Sequence, residues 1–94
     1  MIKNIKKIIT KWYISYNPYS DFFQMYDDVV FTMPKDEKEV FTKNNIKIVI
    51  NKDTSEPLLI EITRAYDTLH ADIDKLDKTD IIKLVEPFFY NYGA

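Results

Sequence analysis

The 94-residue chain contains no cysteine, a single histidine and a single glycine, Gly93, near its end. Without cysteine it can form neither a disulfide framework nor a thiolate metal site, and it has no cysteine nucleophile. Without an internal glycine it lacks the glycine-rich loops that cradle phosphates in nucleotide-binding proteins. One histidine also excludes a metal site built on a histidine pair. We therefore expect no cofactor, no metal and no small-molecule ligand.

Long hydrophobic runs are absent too. No stretch approaches the roughly 18 apolar residues of a membrane span, and the basic start lacks the apolar segment of a signal peptide. We expect a cytoplasmic protein that contacts no membrane. With 46% hydrophobic residues and a net charge of −2, the composition is that of a globular protein and not of a disordered chain. The length predicts one domain over residues 1–94.

The pattern of apolar residues divides the chain into three parts. Residues 1–10 are basic, and isoleucines spaced three and four apart predict a short helix there. Residues 11–64 alternate aromatic and β-branched runs with turn formers such as Asn44-Asn45, which predicts an antiparallel β-meander. We expect its first strands at residues 12–16, 21–26, 29–33, 40–42 and 46–50.

The segment 58–76 fits two structures. Residues 58–63 are mostly apolar and β-branched, with partial alternation, which indicates a strand. Apolar residues of the whole segment also mark one face of a helix. We expect a strand to about Arg64 and a helical turn from Ala65, with one long helix over 58–76 as the alternative.

The last part, residues 65–94, is expected to be helical with an aromatic tail. Its final helix should end near Glu86, because Pro87 lacks an amide hydrogen and clashes with the preceding turn. Together these patterns predict an α+β fold. We expect a small antiparallel β-meander of four to five strands with a C-terminal helix packed on one face.

Two segments carry a resemblance to a known family. Residues 12–26 read as a strand, an Asn-Pro turn, Asp21 and an aromatic return strand. Residues 46–63 read as an apolar strand, a turn with an aspartate and an apolar run that ends in Ile-Glu-Ile. Over residues 12–65 the chain resembles the DUF2283 family of small bacterial proteins. The resemblance implies a small antiparallel sheet with a helix against it and favours the strand at Leu58.

The family resemblance implies no established chemistry. Some family members are encoded beside small toxin-like proteins, which implies a binding partner. The chain departs from the family pattern before its last strand, where Thr-Ser-Glu-Pro replaces a turn that usually carries glycine.

The residues themselves offer little catalytic chemistry. His70 is the one general-base candidate, and Asp67, three residues earlier, would share its helix face. We favour a surface pair, because no serine lies in the context of a nucleophile. The aspartates between 72 and 80 do not match a calcium loop, since Lys83 occupies the position of its last glutamate. We therefore predict no catalytic residue, no metal site and no enzyme activity.

Aromatic side chains exceed what one small core must hold. Alternate residues of a strand face opposite sides, so Trp12 and Tyr16 would share one face and Tyr13 the other. Exposed Tyr and Trp dominate protein–protein contacts, and the acidic stretch over 67–80 would steer a basic partner. Alternatively, a helix or a second chain covers the aromatics. The candidate partner-binding residues are Trp12, Tyr13, Tyr16, Tyr19, Asp67, Asp72 and Asp74.

These features predict a non-enzymatic cytoplasmic protein–protein interaction module. It would bind another protein as an antitoxin-like or inhibitor-like partner, or pair with itself. The alternative is a nucleic-acid-binding accessory protein that uses the lysine-rich N-terminus (Lys3, Lys6, Lys7 and Lys11) and the neighbouring aromatics. The net charge of −2 argues against that alternative.

Overall fold

Within residues 4–92, five strands form one antiparallel sheet, and helices pack on one of its faces. The computed structural model describes these residues, with only the backbone of 91 and 92. The helices are α1 (Ile5–Ile9), α2 (Ala65–Leu69) and α3 (Lys78–Tyr92). The strands are β1 (Tyr13–Asn17), β2 (Phe22–Tyr26), β3 (Lys38–Lys43), β4 (Ile46–Asn51) and β5 (Pro57–Ile62). Short 3₁₀ helices span Asp28–Phe31, Lys35–Glu37 and Ile73–Lys75. The predicted α+β class is confirmed.

The strands do not follow the chain order across the sheet. Their order is β1-β2-β5-β4-β3, and all neighbours are antiparallel. β3, β4 and β5 pair in chain order and form the expected meander, but β2 pairs with β5 and not with β3. Its residues Leu59 and Ile60 are buried on opposite faces, and strands buried on both faces belong at a sheet centre. Residues 27–37, the crossing segment, therefore lead from β2 to the far edge at β3.

The main core lies between the sheet and the helices. Its fully buried side chains come from the central strands, α1 and α3, and include Phe23, Met25, Ile48, Ile60, Ile62, Ile5, Ile9 and Val85. Trp12, just before β1, packs edge to face against Phe89, with ring centroids 5.7 Å apart and planes at 80°. Its indole Nε1 has no hydrogen-bond partner among the described residues. Packing and not hydrogen bonding therefore holds the indole side chain.

The ambiguous segment after residue 57 is a strand followed by a helix. β5 ends at Ile62 and α2 begins at Ala65, so one long helix over 58–76 is excluded. The N-terminal hairpin and the short helix within residues 1–10 are also present as predicted, although residues 1–3 lie outside the described part. Asp21, expected to open β2, instead lies in the turn with φ of 53°.

The predicted strand at residues 29–33 is wrong. Asp28–Phe31 is a 3₁₀ helix, and the Asp27 side chain accepts a hydrogen bond from the Val29 amide at 3.1 Å. Val30 is buried against Val49 and its neighbours. The β-branched residues therefore do not pair in the sheet but cover it, because an aspartate cap and one buried valine decide the local structure.

The predicted helix end near Glu86 is also wrong. α3 continues through Pro87 to Tyr92. Proline removes one helical hydrogen bond and costs about 3 kcal/mol in a helix interior. Phe89 lies beyond it and is buried, which contributes roughly 1.5–3 kcal/mol and keeps the contact with Trp12. Tertiary packing thus offsets the local preference.

The turns adopt left-handed conformations without glycine. Within residues 4–92, six non-glycine residues have φ between 51° and 62°: Asn4, Asp21, Asn44, Ser55, Arg64 and His70. Asn44 was expected to provide such a turn, because asparagine tolerates this region best. Arg64 and His70 flank α2 on both sides, so this five-residue helix is bounded by two sharp reversals of the backbone.

Candidate functional site

The face of the sheet opposite the helices, the open face, carries a row of polar side chains. The strand register aligns Ser15, Gln24, Glu61, Lys47 and Thr42, one from each strand. The Gln24 side-chain amide donates to Glu61 Oε2, and Lys47 Nζ lies 3.4 Å from Glu61 Oε1. Glu61 is thereby held at the middle of the sheet, with both carboxylate oxygens in use.

An apolar row runs beside the polar row. The register aligns Tyr13, Tyr26, Leu59, Val49 and Val40 across the sheet. The rings of Tyr13 and Tyr26 lie 6.0 Å apart, and Phe31 of the crossing segment meets Tyr26 edge to face at 5.0 Å. Leu59 and Val49 are buried under this segment, whereas Tyr13 is 57% and Phe31 62% exposed. The open face is therefore only partly covered.

A groove of about 430 Å³ lies between the crossing segment and the sheet. Val40, Val49 and Leu59 form its apolar floor, and its other lining residues are Val30, Phe31, Lys35, Lys38, Lys47 and Glu61. Lys38 Nζ donates to the Val30 carbonyl at 3.0 Å, which ties β3 to the crossing segment. Three ammonium groups against one carboxylate give the groove a net positive charge.

A second depression of about 230 Å³ lies on the same face. It shares Lys47 and Glu61 with the groove and extends to Phe22, Thr42 and Thr63. The Lys47–Glu61 pair thus stands between the two depressions. Together they form one elongated surface across the open face.

The predicted partner-binding aromatics do not share a surface. Trp12 is wrong as a surface residue: it is only 3% exposed and belongs to the core, because α3 places Phe89 against it. Tyr13 lies on the open face. Tyr19, in the β1–β2 turn, is fully exposed. Tyr16 lies on the helix side of β1, opposite Phe23.

Tyr16 is held by an aspartate of its own hairpin. Its hydroxyl donates to Asp21 Oδ1 at 2.6 Å. This hydrogen bond, with desolvation and the nearby charges of Asp21, Asp74 and Asp72, raises the pKa of Tyr16 to about 12. The Asp21 carboxylate also accepts from the Tyr66 amide at 3.0 Å. The hairpin turn is thereby fastened to the start of α2.

The predicted acidic residues make contacts with their neighbours along the chain. Asp67 lies 3.6 Å from Arg64 and Asp72 3.9 Å from Lys75. Asp72 also accepts from the Asp74 amide at 3.2 Å and so caps the last 3₁₀ helix. Two of the three predicted acids, Asp67 and Asp72, therefore have cationic partners, and Asp74 adjoins Asp72 and acts electrostatically on Tyr16.

His70 lies exposed at the end of α2 in a left-handed conformation. Asp67 forms its ion pair with Arg64 and not with this histidine. Among residues 4–92 no group of three or more His, Cys, Asp or Glu side chains is placed to hold a metal. In the same residues none of the helices has the length and hydropathy of a membrane span.

Sequence reasoning did not identify the groove lysines. Lys35 and Lys38 come from the crossing segment and the edge strand, and Lys47 comes from the next strand. The register of β3 and β4 places Lys38 and Lys47 on the same face, and the crossing segment adds Lys35 to the groove lining. One signal was present, since Lys47 interrupts an otherwise apolar strand and alternation places it opposite the core face.

Comparison with known proteins gave no match: no family model, curated protein or solved structure is significantly similar to the chain. The resemblance to the DUF2283 family over residues 12–65 therefore stays a prediction from short motifs.

Proposed function

We propose that the protein is a non-enzymatic protein–protein interaction module whose groove binds an acidic, partly apolar segment of another protein. The observation that carries the proposal is the pairing of an apolar floor with a positive rim. The exposed side chains of Val40 and Phe31, beside the buried Val49 and Leu59, supply the accessible apolar surface of the floor, and Lys35 and Lys47 stand at its border. Carboxylates of the partner would meet the ammonium groups while its apolar side chains cover the floor.

The shape of the open face favours a chain segment over a compact ligand. The groove continues past Lys47 and Glu61 into the second depression. The exposed ring of Phe31 borders the groove, and aromatic residues are enriched at protein interfaces. A peptide lying across the strands would contact these features in succession.

The lysine-rich N-terminus supports nucleic-acid binding less well. Lys6 and Lys7 are exposed on α1, but the buried Trp12 is removed as a base-stacking platform. Lys3 lies outside the described residues. The binding experiment below therefore includes an oligonucleotide as a competing probe. We also propose a cytoplasmic location, in keeping with the cysteine-free composition. An antitoxin-like or inhibitor-like role is the narrower form of the proposal.

Fluorescence polarisation with three labelled probes tests the proposal. The probes are a peptide of glutamates interspersed with leucines and valines, its lysine-for-glutamate counterpart, and a single-stranded oligonucleotide. We expect the acidic peptide to bind most tightly. Lys35→Glu should weaken its binding about fivefold or more, because the substitution places a like charge beside the peptide.

The matched control is Lys83→Glu, which makes the same charge change on the exposed side of α3. It should leave the affinity unchanged within about twofold, since its charge lies on the helix side of the sheet and is screened. An equal effect of both variants, or tighter binding of the oligonucleotide than of the acidic peptide, would overturn the proposal.

A further inference from the structure

The two edges of the sheet differ in charge. β3, at one edge, is Lys38-Glu39-Val40-Phe41-Thr42-Lys43, with three charged residues in six. β1, at the other edge, is Tyr13-Ile14-Ser15-Tyr16-Asn17 and has neither a charge nor a proline. Charged residues and prolines on an edge strand prevent pairing with other chains. The β3 edge carries such protection, and the β1 edge does not.

From this contrast we infer that β1 pairs antiparallel with β1 of a second copy of the chain, around a two-fold axis at Ser15. The two sheets then form one continuous sheet of ten strands. Two-fold symmetric dimers are the commonest oligomers, and their interfaces are self-complementary. The inference concerns another surface than the peptide groove and does not depend on it.

The strand sequence is complementary to itself in this register. Tyr13 faces Asn17 of the second copy on the open face, and Ile14 faces Tyr16 of the second copy on the helix side. Ile14 and Tyr16 are partly buried in the single chain, and the pairing would cover them further. No like charges oppose each other.

The charges beside the two ends of β1 are opposite in sign. Lys11 precedes the strand, and Lys78 Nζ donates to the Trp12 carbonyl at 2.6 Å. At the other end, the Asp21 carboxylate binds the Tyr16 hydroxyl, and Asp72 and Asp74 lie close enough to act on it electrostatically. Antiparallel pairing brings the basic end of one copy to the acidic end of the other. This charge complementarity favours a second copy over a neutral strand from elsewhere.

Sedimentation equilibrium of the full chain over a concentration series tests the inference. We expect the wild type to show a reversible monomer–dimer equilibrium. Ser15→Glu places two carboxylates opposite each other at the axis, and this should raise the dimer dissociation constant about tenfold or more. Thr42→Glu is the matched control on the β3 edge, where the new carboxylate faces Lys47. It should leave the dimer unchanged.

Mixing charge variants provides the decisive step. Ser15→Lys alone should be as monomeric as Ser15→Glu alone, and an equimolar mixture of the two should restore the dimer through opposite charges at the axis. Ser15 is exposed, and circular dichroism verifies that each variant is folded. A wild type that stays monomeric at all concentrations, a dimer indifferent to Ser15→Glu, or a mixture that stays monomeric would overturn the inference.

Discussion

Leu59 and Ile60 are neighbours in β5, yet they lie in different surroundings. Ile60 faces the helices and belongs to the large core with Phe89. Leu59 faces the open side, in a small cluster with Val30, Val49 and Leu58 under the crossing segment. Both side chains are almost fully buried. Burial alone therefore does not distinguish a face sealed by helices from one covered by a single short segment.

The contrast indicates a division of roles between the faces. The helix face contributes most of the buried apolar surface and so most of the hydrophobic stabilisation. The open face keeps Tyr13, Phe31 and Val40 in contact with solvent. Aromatic residues are enriched at protein interfaces. Three predictions examine this contrast.

The largest effect is expected at the helix face. Phe89→Ala should lower the free energy of unfolding by about 3–5 kcal/mol, because it opens a cavity beside Trp12 and removes the side chain that offsets Pro87. Urea denaturation followed by circular dichroism measures the change. Tyr90→Ala, the adjacent half-exposed aromatic, is the control and should cost within about 0.5 kcal/mol. Similar losses for both variants would contradict the assignment of the core.

The comparison of the faces is sharpened by truncating the neighbours in β5. Ile60→Ala should cost about 4 kcal/mol and Leu59→Ala about 2 kcal/mol, because the crossing segment can collapse onto a cavity more easily than packed helices can. The same urea titrations measure both values. Equal costs would mean that the open face is as rigidly covered as the helix face.

The smallest effect concerns pH at the β1 edge. The hydrogen bond to Asp21 raises the pKa of Tyr16 from 10.0 to about 12. A raised folded-state pKa contributes stability that is fully present below pH 10 and is lost as pH rises towards 12. The stability difference between the wild type and Tyr16→Phe should therefore shrink over that range.

Urea titrations at a series of alkaline pH values measure this difference. In Asp21→Asn the phenol should ionise at lower pH, because its carboxylate acceptor is removed. An unchanged difference between the wild type and Tyr16→Phe across the range would show that Tyr16 is not the group that loses its proton.

The fold was predictable where local patterns and tertiary packing agree. The alternation of Ile46, Lys47 and Ile48 predicts β4, and Asn44 marks the turn before it. Strand order was not predictable, because periodicity defines a face but not a partner. Pro87 misled because the burial of Phe89 beyond it offsets much of its local cost, and the local sequence does not show that burial.

The candidate site was less predictable than the fold. Aromatic composition selected both Tyr13, which is exposed, and Trp12, which is buried, since a sequence does not show which aromatic residues the core will take. The lysines of the groove are separated along the chain and line one groove only through the register of β3 and β4 and the path of the crossing segment. Composition therefore could not show where on the molecule a candidate site would lie.

The glycine-free turns have a thermodynamic consequence for the unfolded chain. Residues with a side chain, such as Arg64 and His70, sample fewer backbone conformations than glycine when the protein is denatured, so ordering them costs less entropy. In the native state the same residues hold a left-handed conformation that disfavours a side chain. These turns therefore lose less conformational entropy on folding but carry steric strain in the folded protein. Glycine at these positions would remove the strain and increase the entropy lost on folding.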